Sequence, residues 1–250
     1  MIGILFNAVD PKDLRYDYYY YYVAIQKKGL ITATNPKSPI SEQYRTIRTN
    51  IQFSMIDKEF KTIACTSAIL GEGKSTTIAN LAVALAQQDD KVLLIDADLR
   101  KPTIHRLIEV KNQYGLTSLI TKTSTPEEAI LPVPEISNLH VLPSGPIPPN
   151  PSELLGSKTM EEIISELSQS YDWLLFDTPP LLAVTDAQIL GSRCDGVILV
   201  LRSHQTEKKE LVKAKWLLDK TNINLIGTIF NAVDPKDLTH DYFYYYGPEQ

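Results

Sequence analysis

Between residues 62 and 230 the chain alternates short, unbroken apolar runs with longer stretches in which apolar positions recur every three or four residues. The runs predict strands at Thr62 to Thr66, Lys91 to Ile95, Leu139 to Leu142, Trp173 to Phe176, Gly196 to Leu201 and Ile223 to Phe230. Strands covered on both faces lose the polar alternation of a half-exposed sheet, and parallel sheets are built from such strands. The periodic stretches predict helices at Ser41 to Ser54, Ser75 to Gln88, Pro102 to Ile108, Ser157 to Ser170, Asp186 to Gly191 and Thr206 to Thr221. Ser41 is placed as a cap of the first, Thr206 with Glu207 as the start of the last, and Ser152 or Ser157 as the start of a helix after the proline-rich stretch. Alternation of the two patterns implies an α/β fold with a mostly parallel sheet flanked by helices.

Two segments interrupt the alternation. Pro143 to Pro151 carries five prolines and reads as a stiff surface loop. Residues 2–22 recur as 226–246, with 16 of 21 positions identical, and the two copies hold ten of the thirteen tyrosines. A single unit repeated at opposite ends is not a solenoid. A fusion product or a genuine tyrosine-rich head both account for it. The division expected is therefore a duplicated head at 1–29, one main domain at 30–238, and a tail at 239–250 ending in Tyr242, Tyr244, Tyr245 and Tyr246.

Composition narrows the chemistry. A hydrophobic content of 43% suits one globular core, and a net charge of -5 gives no general attraction for nucleic acid or an anionic membrane. The two cysteines, Cys65 and Cys194, neither build a disulfide framework nor show metal-ligand spacing, which fits a reducing, cytoplasmic setting. Met1 to Val9 is too short for an anchor and lacks the basic lead of a signal peptide, and no apolar stretch reaches the roughly 18 residues of a membrane span.

Ala68 to Ser75 reads AILGEGKS, the phosphate-loop spacing with alanine in place of the first glycine, and it lies between a predicted strand and a predicted helix. Gly71 and Gly73 let the backbone turn its amides inward, Lys74 reaches terminal phosphates, and Ser75 offers a hydroxyl to magnesium. The nucleotide cradle expected from this loop spans Gly71, Glu72, Gly73, Lys74, Ser75 and Thr76. Two more acidic stations end apolar runs, Asp96 with Asp98 in VLLIDAD and Asp177 in WLLFDTPP. Ligands of open parallel sheets bind beyond the carboxyl ends of strands, so these carboxylates and the loop should converge. Magnesium needs few protein carboxylates beside water and phosphate oxygens.

Together LLIDADLRKP (Leu93 to Pro102), LLFDTPP (Leu174 to Pro180), SGPIPPNPSELL (Ser144 to Leu155) and the terminal tyrosine cluster make the chain resemble the bacterial tyrosine kinases of capsule and exopolysaccharide synthesis, over roughly Asn35 to Tyr246. The related MinD and ParA ATPases share the phosphate-loop architecture, but their signature lysine falls here on Ile69. The resemblance implies ATP and Mg2+ as cofactors and phosphoryl transfer to a tyrosine of a neighbouring subunit. It implies Lys74 on the transferring phosphate, Ser75, Asp98 and Asp177 at magnesium, Asp96 at the tyrosine hydroxyl, and Arg100 on phosphate or a neighbour. The roles of the aspartates are exchangeable at this level. Asn231 resembles an adenine-contacting asparagine, and a turn-capping role is the alternative. Glu42, Arg45 and Arg48 lie within about 120 degrees of one helix face; charges so placed are usually solvated, but the resemblance implies a ring-forming subunit interface. It also implies a transmembrane activator as partner and recruitment to the inner membrane face.

Overall fold

The computed structural model describes residues 30–54 and 60–233 together with the backbone of Gly3–Ile4. Eight strands run β1 (Gly3–Ile4), β2 (Thr62–Ser67), β3 (Val92–Asp96), β4 (Leu131–Pro132), β5 (Leu139–Leu142), β6 (Trp173–Asp177), β7 (Gly196–Arg202) and β8 (Leu225–Asn231). They form one sheet in the order β1-β8-β7-β2-β6-β3-β5-β4. Every pairing is parallel except that of β4 with β5 at one edge. The main helices are α1 (Ile31–Thr34), α2 (Pro39–Phe53), α3 (Lys74–Ala86), α4 (Ile104–Leu107), α5 (Leu116–Ile120), α6 (Pro126–Ala129), α7 (Pro151–Leu155), α8 (Lys158–Ser170), α9 (Asp186–Gly191) and α10 (Lys208–Lys220).

Alternation along the strands builds two cores. Ile63, Val92, Leu94, Trp173 and Leu175 join Tyr44, Ile47, Ile51, Ile78, Leu81 and Leu85 of α2 and α3 on one face. Ala64, Leu93, Ile95, Leu174 and Phe176 join Leu116, Leu155, Met160, Ile164, Ala214 and Leu218 on the other. Successive strand residues point to opposite faces, so a strand apolar at every position is what two helical layers require. Each fully buried large apolar side chain contributes about 1.5–3 kcal/mol relative to exposure. The resulting slab holds its strand ends in fixed relation.

All six expected strands and all six expected helices are present, and the differences lie at their ends. Helix α2 begins two residues before Ser41: Ser38 caps it, accepting from the Ser41 N–H at 3.1 Å, while the Ser41 hydroxyl is buried and donates to the Asn35 carbonyl at 2.7 Å. Pro39 at the first helical position explains the earlier start, because its missing N–H costs nothing there. Helix α10 starts after Glu207, whose N–H donates to the Glu210 carboxylate at 2.8 Å, and Thr206 turns away to the phosphate loop. Ser157 caps α8 by accepting from the Met160 N–H at 3.2 Å. The helix expected over Pro102 to Ile108 shortens to α4 because Thr103 and Ile104 commit their amides to Asp96. The proline-rich segment is a surface loop only over residues 146–150; Pro143, Ser144 and Gly145 are buried, as is Pro151 at the start of α7.

The backbone of Gly3–Ile4 lies parallel to β8 with Gly3 opposite Ile229 and Ile4 opposite Phe230. A piece of the duplicated head thus pairs with its own copy, displaced by two residues, since the counterpart of Gly3 is Gly227. Among the described residues no helix is long and apolar enough to cross a membrane.

Candidate functional site

The sheet order puts β6 between β2 and β3, although β2 and β3 follow one another in sequence. Asp177, the last residue of β6, is therefore level with Cys65 of the phosphate-loop strand on one side and with Asp96 on the other. The loop after β2 turns through Gly71 (φ 82°) and Gly73 (φ 90°), left-handed values that favour glycine, and α3 starts at Lys74. At Gly73 a Cβ would stand 2.1 Å from Asn231 Nδ2, so close approach as well as backbone angle demands glycine.

Lys74 reaches into the carboxylates. Its Nζ lies 3.4 Å from Asp98 Oδ2, 3.8 Å from Asp177 Oδ1 and 3.4 Å from Ser75 Oγ. Burial alone would lower the ammonium pKa, but the charges of Asp177 and Asp98 more than offset it and the net shift is upward. Asp98 Oδ1 accepts from the Lys101 N–H at 3.0 Å. Asp96 is fully buried; its Oδ2 accepts from the Thr103 and Ile104 amides at 3.0 Å each, while Oδ1 has no partner. Burial, then the neighbouring Asp177 charge, pushes the Asp96 carboxyl up to about 8. Burial pushes Asp177 to about 6 against the pull of Lys74, and neither of its oxygens has a hydrogen-bond partner.

These groups fit a magnesium nucleotide. Buried carboxylate oxygens without partners are costly unless something binds them, and Asp177 carries two beside a lysine and a phosphate loop. Among the described residues no three His, Cys, Asp or Glu side chains cluster into a self-sufficient cation cage. Magnesium does not need one, because it retains water and phosphate oxygens.

The phosphate loop is braced from the far edge of the sheet, which sequence reasoning missed. Asn231, buried at the end of β8, donates Nδ2 to the Glu72 carbonyl at 2.8 Å, and its Oδ1 accepts from the Ala232 N–H at 2.9 Å. Asn231 thus caps its own turn and clamps the loop, and its amide is already engaged on both sides. Gln205 Nε2 donates to the Leu70 carbonyl at 2.8 Å, and Thr206 pairs with the Glu72 carboxylate. The Glu72 side chain turns inward, accepting from the Ile69 N–H at 2.8 Å, and burial raises its pKa against the Thr206 bond. Thr76 continues α3, its carbonyl accepting from Asn80 Nδ2 at 2.9 Å. No local motif marks Gln205 or Thr206, which lie more than 130 residues from the loop they hold.

Two expectations change. Arg100 is bound at two points to buried Asp186, at 2.8 and 3.0 Å, and to Ser152 at 3.0 Å, so its guanidinium is held beside α9 instead of standing free for phosphate. The charged face of α2 is split: Glu42 and Arg45 pair at the surface, but Arg48 is 8% exposed and donates Nη1 to the Ala84 carbonyl at 2.5 Å. Its position at the end of α3 makes it a cap of that helix. Tyr242, Tyr244, Tyr245 and Tyr246 lie outside the described residues.

Fold and site define a P-loop nucleotide-binding protein, and a family model described as an AAA domain matches residues 60–211. A curated relative, tyrosine-protein kinase YwqD of Bacillus subtilis (strain 168), is 53% identical over 221 residues, covering 88% of this chain and 92% of its own length. The solved kinase domain of Escherichia coli tyrosine kinase ETK matches with a TM-score of 0.83 at 29% identity, covering 96% of this chain and 92% of that one. The septum site-determining protein MinD complexed with Mg-ADP from Pyrococcus horikoshii OT3 shares the architecture more distantly, with a TM-score of 0.60 at 25% identity over 73% of this chain and 75% of that one. The chain belongs to the bacterial tyrosine-protein kinase family. The kinase domain is the nearer of these two structural matches, by TM-score and by coverage.

Proposed function

We propose that the protein transfers the terminal phosphoryl group of ATP, with magnesium, to tyrosines of its own tail presented by a neighbouring subunit. The observation that carries this reading is the meeting of Lys74, Asp98, Asp177 and Asp96 at adjoining strand ends beside the phosphate loop. Magnesium supplies charge neutralisation and a template for the phosphates. Lys74 sits among the carboxylates where it would meet the transferring group, and Asp177, with Ser75 and Asp98, has the oxygens to hold the metal. Asp96 is fixed through one oxygen and free through the other, which suits a group that orients a phenol and takes its proton. An ordinary carboxylate lies about six pK units below tyrosine. Burial and the neighbouring Asp177 charge raise the Asp96 pKa in the metal-free site; with magnesium on Asp177 the second cause falls away, so proton acceptance would come late, as charge leaves the phenol. Positioning and charge do the remainder.

The domain division at 30–238, with tyrosine-rich ends, supports acceptor segments outside the catalytic body. Exposed Glu42 and half-buried Arg45 on α2 are the pair that would meet a neighbour in a ring, whereas Arg48 would act through α3. A transmembrane activator, cytoplasmic placement at the inner membrane face and control of capsule or exopolysaccharide synthesis complete the proposal. Phosphorylating all four tail tyrosines adds roughly -6 to -8 charges per chain, more than the starting -5, so completed modification of the cluster would loosen the ring.

The test is incubation with labelled ATP and magnesium followed by phosphotyrosine detection. Lys74→Met should lower transfer by about 10² to 10³ while the protein stays folded. ATP hydrolysis without any phosphotyrosine would instead point to an ATP-regulated scaffold or a MinD-like ATPase.

A further inference from the structure

A cavity of about 690 Å3 opens on the turn between β3 and α4, beside the catalytic carboxylates. Its size falls in the roughly 300–1,000 Å3 range of small-ligand sites. Arg100, Lys101, His105 and Arg106 line it, and no Asp or Glu does. Arg100 is neutralised from behind by Asp186. Lys101 and Arg106 are exposed, Arg106 donates to the Pro102 carbonyl at 2.9 Å, and among the described residues neither is paired with a carboxylate. Ile147, 65% exposed, forms an apolar lip. Thr103 lines the cavity and donates its N–H to Asp96 Oδ2 at 3.0 Å, so the cavity lies one residue away from Asp96.

Two unpaired cations and an apolar lip match an aryl phosphate better than a neutral phenol: the dianion takes the charges and the ring takes the lip. The tail would supply such a group only after reaction has begun. Alternate residues of an extended chain lie about 6.6–6.8 Å apart, so a tyrosine at Asp96 places its near neighbours over the adjoining surface. We propose that this cavity is a phosphotyrosine subsite for the acceptor segment, in which the first residue modified anchors the tail while the next is presented to Asp96. It rests on the tail being the acceptor. Phosphorylation of the cluster would then accelerate after its first event instead of proceeding as independent steps.

The experiment uses the full chain with Tyr242, Tyr244, Tyr245 and Tyr246 changed to Phe, and peptides of residues 239–250 either unmodified or phosphorylated at Tyr246 or at Tyr242. A phosphorylated peptide should show a KM about tenfold lower than the unmodified one. The double variant Lys101→Ala/Arg106→Ala should abolish that advantage and leave kcat/KM for the unmodified peptide within about twofold, since both side chains are exposed. Equal KM values, or an advantage that survives in the double variant, would overturn the subsite. Phenyl phosphate should displace the phosphorylated peptide better than inorganic phosphate; equal displacement would refute the part assigned to Ile147 and with it the tyrosine specificity. If no peptide is phosphorylated, the acceptor reading itself fails. Fluorescence anisotropy of the phosphopeptide still decides the cavity: binding lost in the double variant sustains it, and binding that is absent or unaltered overturns it.

Discussion

Replacing Asp96 by asparagine should stabilise the nucleotide-free protein at alkaline pH while removing its activity. In the wild type Asp96 is fully buried and register-paired with buried Asp177, and the burial of both carries no compensating cation except Lys74. Asparagine keeps an oxygen for the Thr103 and Ile104 amides and puts an NH2 where the unpartnered Oδ1 stands. The sign follows from the raised pKa. The folded state binds the Asp96 proton more tightly than the unfolded chain, so this stabilisation is complete below about 4 and is lost as pH climbs to about 8. Four pK units taken alone would be about 5–6 kcal/mol, an upper bound because the repulsion is shared with Asp177. For a chain of this size each kcal/mol retained is about 2–4 °C in Tm. Scanning calorimetry without nucleotide or magnesium should give nearly equal Tm values for the two proteins at pH 4 and a higher one for Asp96→Asn at pH 8. A variant that melts with or below the wild type at pH 8 would refute the reasoning.

Asp177→Ala should weaken magnesium-dependent nucleotide binding more than Asp96→Ala does, as nucleotide titrations with and without magnesium would show; equal losses would merge the two roles. Asn231→Ala removes the bond to the Glu72 carbonyl, so nucleotide affinity should fall about fivefold to tenfold without loss of secondary structure, measured by titration and circular dichroism. Arg48→Ala leaves the Ala84 carbonyl unpartnered and should cost about 1–3 kcal/mol in urea unfolding. Glu42→Ala/Arg45→Ala should change stability by less than about 0.5 kcal/mol but shift the oligomer mass in light scattering.

The meeting of the candidate site residues was legible because each sits on a local signal. Lys74 follows a glycine turn, and Asp96 and Asp177 end apolar runs whose order of burial is dictated by a parallel sheet. What pattern could not supply is the identity of side-chain partners. Arg45 and Arg48 share one periodicity, yet one stays at the surface and the other turns toward α3, because only tertiary packing places the Ala84 carbonyl within its reach. Asn231, Gln205 and Thr206 are brought to the loop by strand order, with β8 and β7 lying on the far side of β2. The helix boundaries that shifted did so where a side chain took backbone donors, as Asp96 does at the start of α4.

The clasp between Asn231 and the Glu72 carbonyl lies two residues before the described chain ends, on the strand that leads toward the tyrosine-bearing terminus. A single amide therefore joins the floor of the phosphate loop to the last described turn of the chain, two residues short of Val233. If nucleotide shifts this clasp, thermodynamic reciprocity requires that whatever holds the chain beyond Val233 shift nucleotide affinity by the same factor.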